Sequence, residues 1–122
     1  MSKNDTLREE IDTALLDHVA WKHRLREAAL SNDTALPVQE IADDTHCRFG
    51  QWLATVEPSE HNSYYLERVK ELHAEFHAKA GAIAKAINEG DTLEGLKALN
   101  SADYNLKSKE LGAVLMEWKA RC

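Results

Sequence analysis

The sequence predicts an all-α fold, an antiparallel four-helix bundle with a short extra helix that carries Cys47. Apolar residues recur every three or four positions along most of the 122 residues, which is the period of amphipathic helices. Only two prolines and five glycines interrupt the chain. No alternating run of β-branched and aromatic residues indicates a half-buried strand. We expect a single domain, residues 1–122, which is long enough to bury a core without disulfides.

The first predicted helix begins at Thr6, because Glu9 three residues later completes a capping box. It ends at residues 31–33, Ser-Asn-Asp, which are turn formers. The helical period places His18 and Trp21 on its core-facing side. That side also carries an apolar stripe, formed by Leu7, Ile11, Leu15, Val19, Leu25 and Ala28.

An irregular acidic connection is predicted over residues 32–46, where Pro37 acts as a breaker and one helical turn is expected near residues 38–42. A short helix then runs from Cys47 to about Val56 and ends before a second break. Its buried side is formed by Phe49, Trp52, Leu53 and Val56.

A third major helix is predicted from about residue 60 to residue 89, where Gly90 terminates it. Asp91 together with Glu94 caps a last helix, which continues to the end of the chain. The polar residues in its middle, around 103–107, fit either a dimer seam or a polar pocket near a functional site. Its core stripe is formed by Leu93, Leu96, Leu99, Leu106, Val114, Leu115 and Trp118.

Charge and cysteine content limit the environments and partners of the protein. A net charge of −6 argues against binding to nucleic-acid phosphates or to anionic membrane surfaces. No apolar run approaches the roughly 20 residues of a membrane span, and the N-terminal segment contains no secretory signal. Cys47 and Cys122 do not form a disulfide pattern, so we expect a cytoplasmic protein in which Cys122 is a free thiol.

His73 and His77 stand four residues apart in the third major helix. This spacing puts both side chains on one helix face, about 5–6 Å apart at Cβ, so two neutral imidazoles can bind one metal ion. Zinc prefers four Cys and His ligands in tetrahedral geometry, and His18 and Cys47 are the other residues of these types at core-facing positions. Because a helical bundle brings side chains from several helices together, these four residues are candidate ligands of one zinc ion.

Each candidate also has an ordinary structural interpretation when it is taken alone. A single core histidine such as His18 is more often a hydrogen-bonded core residue than a ligand. Cys47 alone is most often a small buried hydrophobe. A pair such as His73 and His77 also arises by chance on a histidine-rich helix.

Three sequence blocks resemble the chemoreceptor zinc-binding domain family: His18-x-x-Trp21, Cys47-x-Phe49-Gly50-x-Trp52 and His73-x-x-x-His77. The resemblance covers nearly the whole chain. It implies a helical bundle that binds one zinc ion through three histidines and one cysteine. It also implies a sensory module, typically a homodimer, in bacterial cytoplasmic chemoreceptors or beside diguanylate cyclase domains. Nothing in the sequence resembles a signalling coiled coil or a cyclase domain.

Four functions remain open at this point. A regulatory sensor would respond to zinc or to oxidation of Cys47, whereas a purely structural zinc site would use the same ligands. A zinc hydrolase is disfavoured, because Glu75 stands two residues after His73 rather than one and four protein ligands leave no position for water. We therefore expect no enzymatic activity. A hemerythrin-like di-iron protein is disfavoured because the last helix contains no histidine.

The remaining histidines are not expected to bind this metal ion. His23 is rotated well away from His18 on the same helix. His61 follows a turn and is expected at the surface. His46 is expected either to tune the neighbouring Cys47 or to face water.

Two tryptophans and two glycines are expected to shape the predicted site. Trp21 and Trp52 are core residues that would form its walls. Gly50 and Gly81 would allow close approach of neighbouring segments, because glycine has no Cβ.

Overall fold

Six helices occur within residues 3–60 and 62–121, which are the residues that the computed structural model describes. They are α1 (Lys3–Leu30), α2 (Val38–Ala42), α3 (Arg48–Leu53), α4 (Ser63–Asn88), α5 (Thr92–Leu99) and α6 (Ala102–Ala120). No strand occurs in these ranges, so the predicted all-α fold is confirmed. None of these six helices is long and apolar enough to cross a membrane. The expectations for His61 and Cys122 concern residues outside the described ranges.

α4 lies at the centre of the bundle, because each of the other five helices packs against it. α1 and α6 lie beside each other in antiparallel directions. Lys119 Nζ lies 2.7 Å from Asp12 Oδ1 near one end of the pair, and Lys22 Nζ donates to Asn105 Oδ1 at 2.7 Å near the other. The side chains that fill the core are Ile11, Leu25, Leu66, Val69, Leu72, Phe76, Ile87, Leu99, Leu111 and Leu115. Each contributes roughly 1.5–3 kcal/mol by its removal from water.

Gly90 ends α4, as predicted. Its φ of 88° lies in the left-handed region, where glycine is unstrained. The Gly90 amide donates to the Ile87 carbonyl at 3.1 Å, and the Asp91 amide donates to the Ala86 carbonyl at 2.9 Å. These two hydrogen bonds form a Schellman motif, which satisfies the last carbonyls of the helix that carries His73 and His77.

The last predicted helix is in fact two helices, so that prediction was wrong in detail. α5 ends at Leu99, and α6 begins after Ser101. Ser101 caps α6, because its Oγ accepts a hydrogen bond from the Tyr104 amide at 3.3 Å and donates to the Ala98 carbonyl at 2.6 Å. A serine that satisfies amide and carbonyl groups in this way favours a helix boundary over a continuous helix.

Two predicted N-caps also differ from the structure. α1 already includes Lys3, so Thr6 lies inside the helix, and Asp5 in the first turn favourably faces the positive end of the helix dipole. Asp91 does stand at the N-cap position of α5, but its side chain makes no capping hydrogen bond.

Three members of the predicted core stripes are exposed: Val19 by 63%, Leu93 by 65% and Leu106 by 54%. His18 and Tyr104 occupy the core-facing positions of α1 and α6 instead. Successive helical residues are rotated by about 100°, so Val19, one residue after His18, and Leu106, two after Tyr104, point away from the core. Leu93 lies in the first turn of α5, before the buried positions of that helix.

The polar residues in the middle of the last predicted helix pair with α4. Asp103 Oδ2 lies 2.6 Å from Lys79 Nζ, and Lys107 Nζ lies 2.7 Å from Glu75 Oε2. These contacts within one chain account for the polarity of the segment.

Candidate metal centre

Four side chains from three helices converge in the interior of the bundle. His18 comes from α1, Cys47 is the N-cap of α3, and His73 and His77 lie one turn apart on α4. Their potential ligand atoms all lie within 4.8 Å of one another. His73 Nε2 is 3.1 Å from His77 Nε2 and 3.3 Å from Cys47 Sγ. The structure thus brings together the four residues that the sequence nominates as ligands.

The three imidazoles are buried, and burial keeps two of them, His18 and His73, neutral. His18, His73 and His77 are exposed by 7%, 0% and 4%. Burial, together with the nearby His77, lowers the pKa of His18 to about 4. Burial, with His77 and then His18, lowers the pKa of His73 to about 3. A neutral imidazole keeps a lone pair on one nitrogen, which is the form that binds a metal ion.

The backbone of α2 determines which nitrogen of His77 has the lone pair. His77 Nδ1 lies 2.8 Å from the Ile41 carbonyl oxygen. Because a carbonyl only accepts hydrogen bonds, Nδ1 carries the proton, and Nε2 presents its lone pair to His73. Metal-bound histidines commonly donate their second ring nitrogen in this manner. Sequence reasoning predicted the turn at residues 38–42 but missed this role, because a backbone carbonyl leaves no signal in the sequence.

Gly81 allows α2 to lie close enough for that contact. A Cβ placed on Gly81 would be 2.5 Å from Ala42 Cβ and 2.9 Å from Ala42 Cα. The expectation that Gly81 permits close approach is therefore confirmed. The consequence is that the Ile41 carbonyl reaches α4 at the level of His77.

Cys47 is held by the start of α3. Its Sγ accepts a hydrogen bond from the Gly50 amide at 3.3 Å. A Cβ on Gly50 would lie 1.7 Å from the Asp44 carbonyl oxygen, so only glycine lets α3 pack against this carbonyl. Burial raises the pKa of the Cys47 thiol, and the amides of Gly50 and Phe49 partly oppose this effect. The sulfur is therefore a thiol in the absence of a cation, and binding of a cation would release its proton.

The donor set and its surroundings fit zinc. One sulfur and three imidazole nitrogens are a typical tetrahedral zinc set. His73 Nε2 and His77 Nε2 face each other. Without a metal ion, one of these nitrogens must carry a proton and donate it to the lone pair of the other. Among the described residues, His18 Nδ1 and His73 Nδ1 are buried without a hydrogen-bond partner. A cation between the facing Nε2 atoms of His73 and His77 would bond to one lone pair from each, which a single shared proton cannot do.

Aromatic rings enclose the four side chains. The centroid of Phe76 lies 4.9 Å from that of His18, and Phe49 packs edge-on to His73 at 5.3 Å. Trp52 stacks on Phe49 at 5.8 Å, so it supports the wall from behind. This apolar wall excludes water from one side of the centre, which strengthens electrostatic interactions inside it.

Comparison with known proteins agrees with this geometry. A family model described as the chemoreceptor zinc-binding domain matches residues 18–84. This segment covers more than half of the chain and contains all four converging side chains. The chain belongs to the chemoreceptor zinc-binding domain family. This domain is a zinc-binding sensory domain, and the four side chains of this member are positioned to bind one metal ion. No curated protein and no solved structure matches the chain.

Two other histidines lie apart from the centre. His46 Nε2 is 3.6 Å from Glu40 Oε2, and the His46 side chain is 58% exposed. His23 is also exposed. Within the described part of the chain, the group of converging ligand atoms includes neither of them.

Proposed function

We propose that this chain is a regulatory zinc sensor of bacterial signalling and that His18, Cys47, His73 and His77 bind one zinc ion. The observation that carries the proposal is the convergence of their ligand atoms within 4.8 Å in a buried site. The family assignment supports zinc as the metal. In this proposal residues 1–122 act as one domain in the cytoplasm, linked to a chemotaxis or cyclic-di-GMP pathway.

The ligand set supports regulation or structure rather than hydrolysis. Four protein ligands leave no open position at which zinc could activate water. The centre contains a sulfur, and within the described ranges no carboxylate belongs to it, which disfavours a hemerythrin-like di-iron site. We infer that the domain is not an enzyme.

Cys47 gives the proposed sensor a second input besides zinc itself. A hydroperoxide would transfer one oxygen atom to the Cys47 sulfur and leave as water or an alcohol, which converts the thiolate to sulfenic acid. The oxidised sulfur is a poorer ligand, so the three histidines would hold zinc less tightly. α3 has only six residues, and its displacement would carry the signal, since short elements with few buried contacts open most easily.

A purely structural zinc ion is the competing function. The observation that favours it is the burial of the three histidines and their placement on the long helices α1 and α4. A structural centre would stay reduced and keep its zinc under mild oxidation.

Two measurements test the proposal. Metal analysis of the purified protein should find one zinc ion per chain, and Cys47→Ala should lower that occupancy. Treatment of the zinc-loaded protein with a stoichiometric hydroperoxide should then release zinc and accelerate amide exchange in α3 more than in α4. Retention of zinc with a reduced Cys47 would support the structural function instead. Two metal ions per chain, or iron absorption bands, would contradict both.

A further inference from the structure

A cavity of about 150 Å³ lies between α1 and α3, beside the metal centre. Its lining includes Asp17, His18, Ala20, Trp21, Arg24 and Cys47, and we name it the α1–α3 cavity. At about 30 Å³ for each water molecule, it has room for roughly five. His18 is buried, whereas Asp17 and Arg24 are exposed. The α1–α3 cavity therefore extends from two of the candidate ligands to the protein surface.

Asp17 places a negative charge at the outer end of this cavity. No described residue forms a hydrogen bond or an ion pair with its carboxylate, although, after Glu10, the charge of Asp17 also raises the pKa of Arg48. The field of Asp17 also reaches the sulfur: burial is the main cause that raises the pKa of Cys47, and the charges of Asp44 and Asp17 add to it. A cation at the mouth would therefore interact with Asp17 before it reached Cys47.

Arg24 places the opposite charge on the same rim. Its guanidinium carbon lies 5.0 Å above the ring of Trp21, a cation–π contact that holds the side chain at the cavity. Asp17 and Arg24 thus have opposite effects on an incoming dication: the first attracts it and the second repels it.

We propose that the α1–α3 cavity is the path by which Zn²⁺ enters and leaves the centre and that Asp17 is the residue that receives the incoming ion. This inference rests on the proposed zinc-binding function. Asp17 is a positioning residue and not a fifth ligand. At the inner end, Cys47 and His18 replace water molecules of the hydrated ion, and the Cys47 proton leaves to solvent as the sulfur–zinc bond forms.

A residue that acts along the path has a kinetic signature that differs from that of a ligand. Asp17 stabilises the ion during passage, so it lowers the same barrier for uptake and for release. Its removal should slow both rates and change the dissociation constant by a smaller factor than it changes uptake, because the charge lies nearer to an ion at the mouth than to an ion at Cys47. A group that acts on the bound ion would change the dissociation constant, mainly through the release rate.

The experiment measures zinc uptake by the metal-free protein and zinc release to a chelator, both by stopped flow. We expect Asp17→Asn to slow both rates about threefold to tenfold, as for the loss of one charge several ångströms from a dication in water. Arg24→Gln should accelerate both rates. Glu27→Gln removes the same charge from the same helix about 15 Å farther along, at 1.5 Å per residue, and should change neither rate.

A second variant tests the path itself rather than the charge. Ala20→Leu adds volume to the lining, so it should slow uptake and release together while the protein still binds one zinc ion. Wild-type rates in both Asp17→Asn and Ala20→Leu would overturn the inference. A changed dissociation constant with unchanged uptake in Asp17→Asn would also overturn it, because Asp17 would then act on the bound ion. Failure of the wild-type protein to bind zinc at all would instead refute the proposed function.

Discussion

Arg48 Nη2 donates to Glu10 Oε1 at 2.8 Å and so ties the residue directly after Cys47 to α1. The two partners differ in environment: the Arg48 side chain is 64% exposed, and that of Glu10 is only 11% exposed. The second carboxylate oxygen, Glu10 Oε2, is buried and has no hydrogen-bond partner among the described residues. Arg48 is therefore the group that compensates a carboxylate held inside the bundle.

The first prediction concerns this pair. Arg48→Ala leaves Glu10 buried without its cation and frees the start of α3, so Cys47 should be held less firmly. We expect zinc affinity, measured by chelator competition, to fall about tenfold, in line with losses seen when supporting residues of metal ligands are removed. Addition of Glu10→Ala to Arg48→Ala should cause little further loss, because the interaction is already absent. Arg26→Ala, on α1 but bonded to Asn100, should bind zinc normally, and an equal loss in that variant would contradict the prediction.

The second prediction concerns Gly50. Gly50→Ala places a methyl group where the Asp44 carbonyl oxygen now lies, so α3 must move and overpacking should cost about 1–3 kcal/mol. Thermal unfolding should show this loss, and zinc affinity should fall with it. Gly112→Ala is the matched control, because its Cβ would contact only Leu15 at an ordinary 3.9 Å. That substitution should stabilise α6 by up to about 1 kcal/mol; similar losses for both glycines would mean that the Asp44 contact is unimportant.

The third prediction separates two tyrosines. The Tyr104 hydroxyl is buried without a partner among the described residues, and burial raises the pKa of Tyr104 to about 12. Tyr104→Phe removes an unsatisfied polar group, so the free energy of unfolding should stay equal or rise by up to about 1 kcal/mol. The Tyr65 hydroxyl instead lies 3.1 Å from Glu117 Oε1, so Tyr65→Phe should destabilise. Urea denaturation of both variants measures the contrast, and a clear loss for Tyr104→Phe would show that its hydroxyl has a partner after all.

The fourth prediction concerns the proposed homodimer. Leu16 and Val19 on α1, with Met116 on α6, are exposed by 75%, 63% and 53%, and these two helices pack side by side. If these exposed apolar side chains join two chains, Val19→Lys together with Met116→Lys should shift the protein from dimer to monomer in sedimentation experiments. Leu93→Lys, on α5, should leave the dimer intact. A wild-type protein that sediments as a monomer at a concentration on the order of tens of micromolar would rule out the dimer.

The centre could be predicted from the sequence because its ligands are chemically distinctive side chains at regular helical positions. The four-residue spacing of His73 and His77 alone predicts that they share a helix face. Gly50 and Gly81 lie at close contacts between segments of the structure. The groups that support the ligands could not be predicted in this way. Glu10 resembles any surface glutamate in an amphipathic helix, and its burial follows from how α3 crosses α1, which is a tertiary relationship.

The errors in the fold have a similar origin. Apolar residues at Val19 and Leu106 fit a broad helical stripe, but only the packed structure decides which edge of that stripe faces inward. The division between α5 and α6 depends on Ser101, one of the residues that can either cap a helix or lie within it. Local propensity does not resolve that choice without neighbouring helices.

The distribution of the four ligands along the chain makes the proposed zinc ion equivalent to a removable covalent cross-link. About 30 residues separate His18 from Cys47, and 26 separate Cys47 from His73. A disulfide that closed a loop of either length would restrict the unfolded chain by about 3–4 kcal/mol. The link would fix the segment between α1 and α4 at one residue, Cys47. Unlike a disulfide, it would form and open with the supply of metal and not with the breaking of a sulfur–sulfur bond.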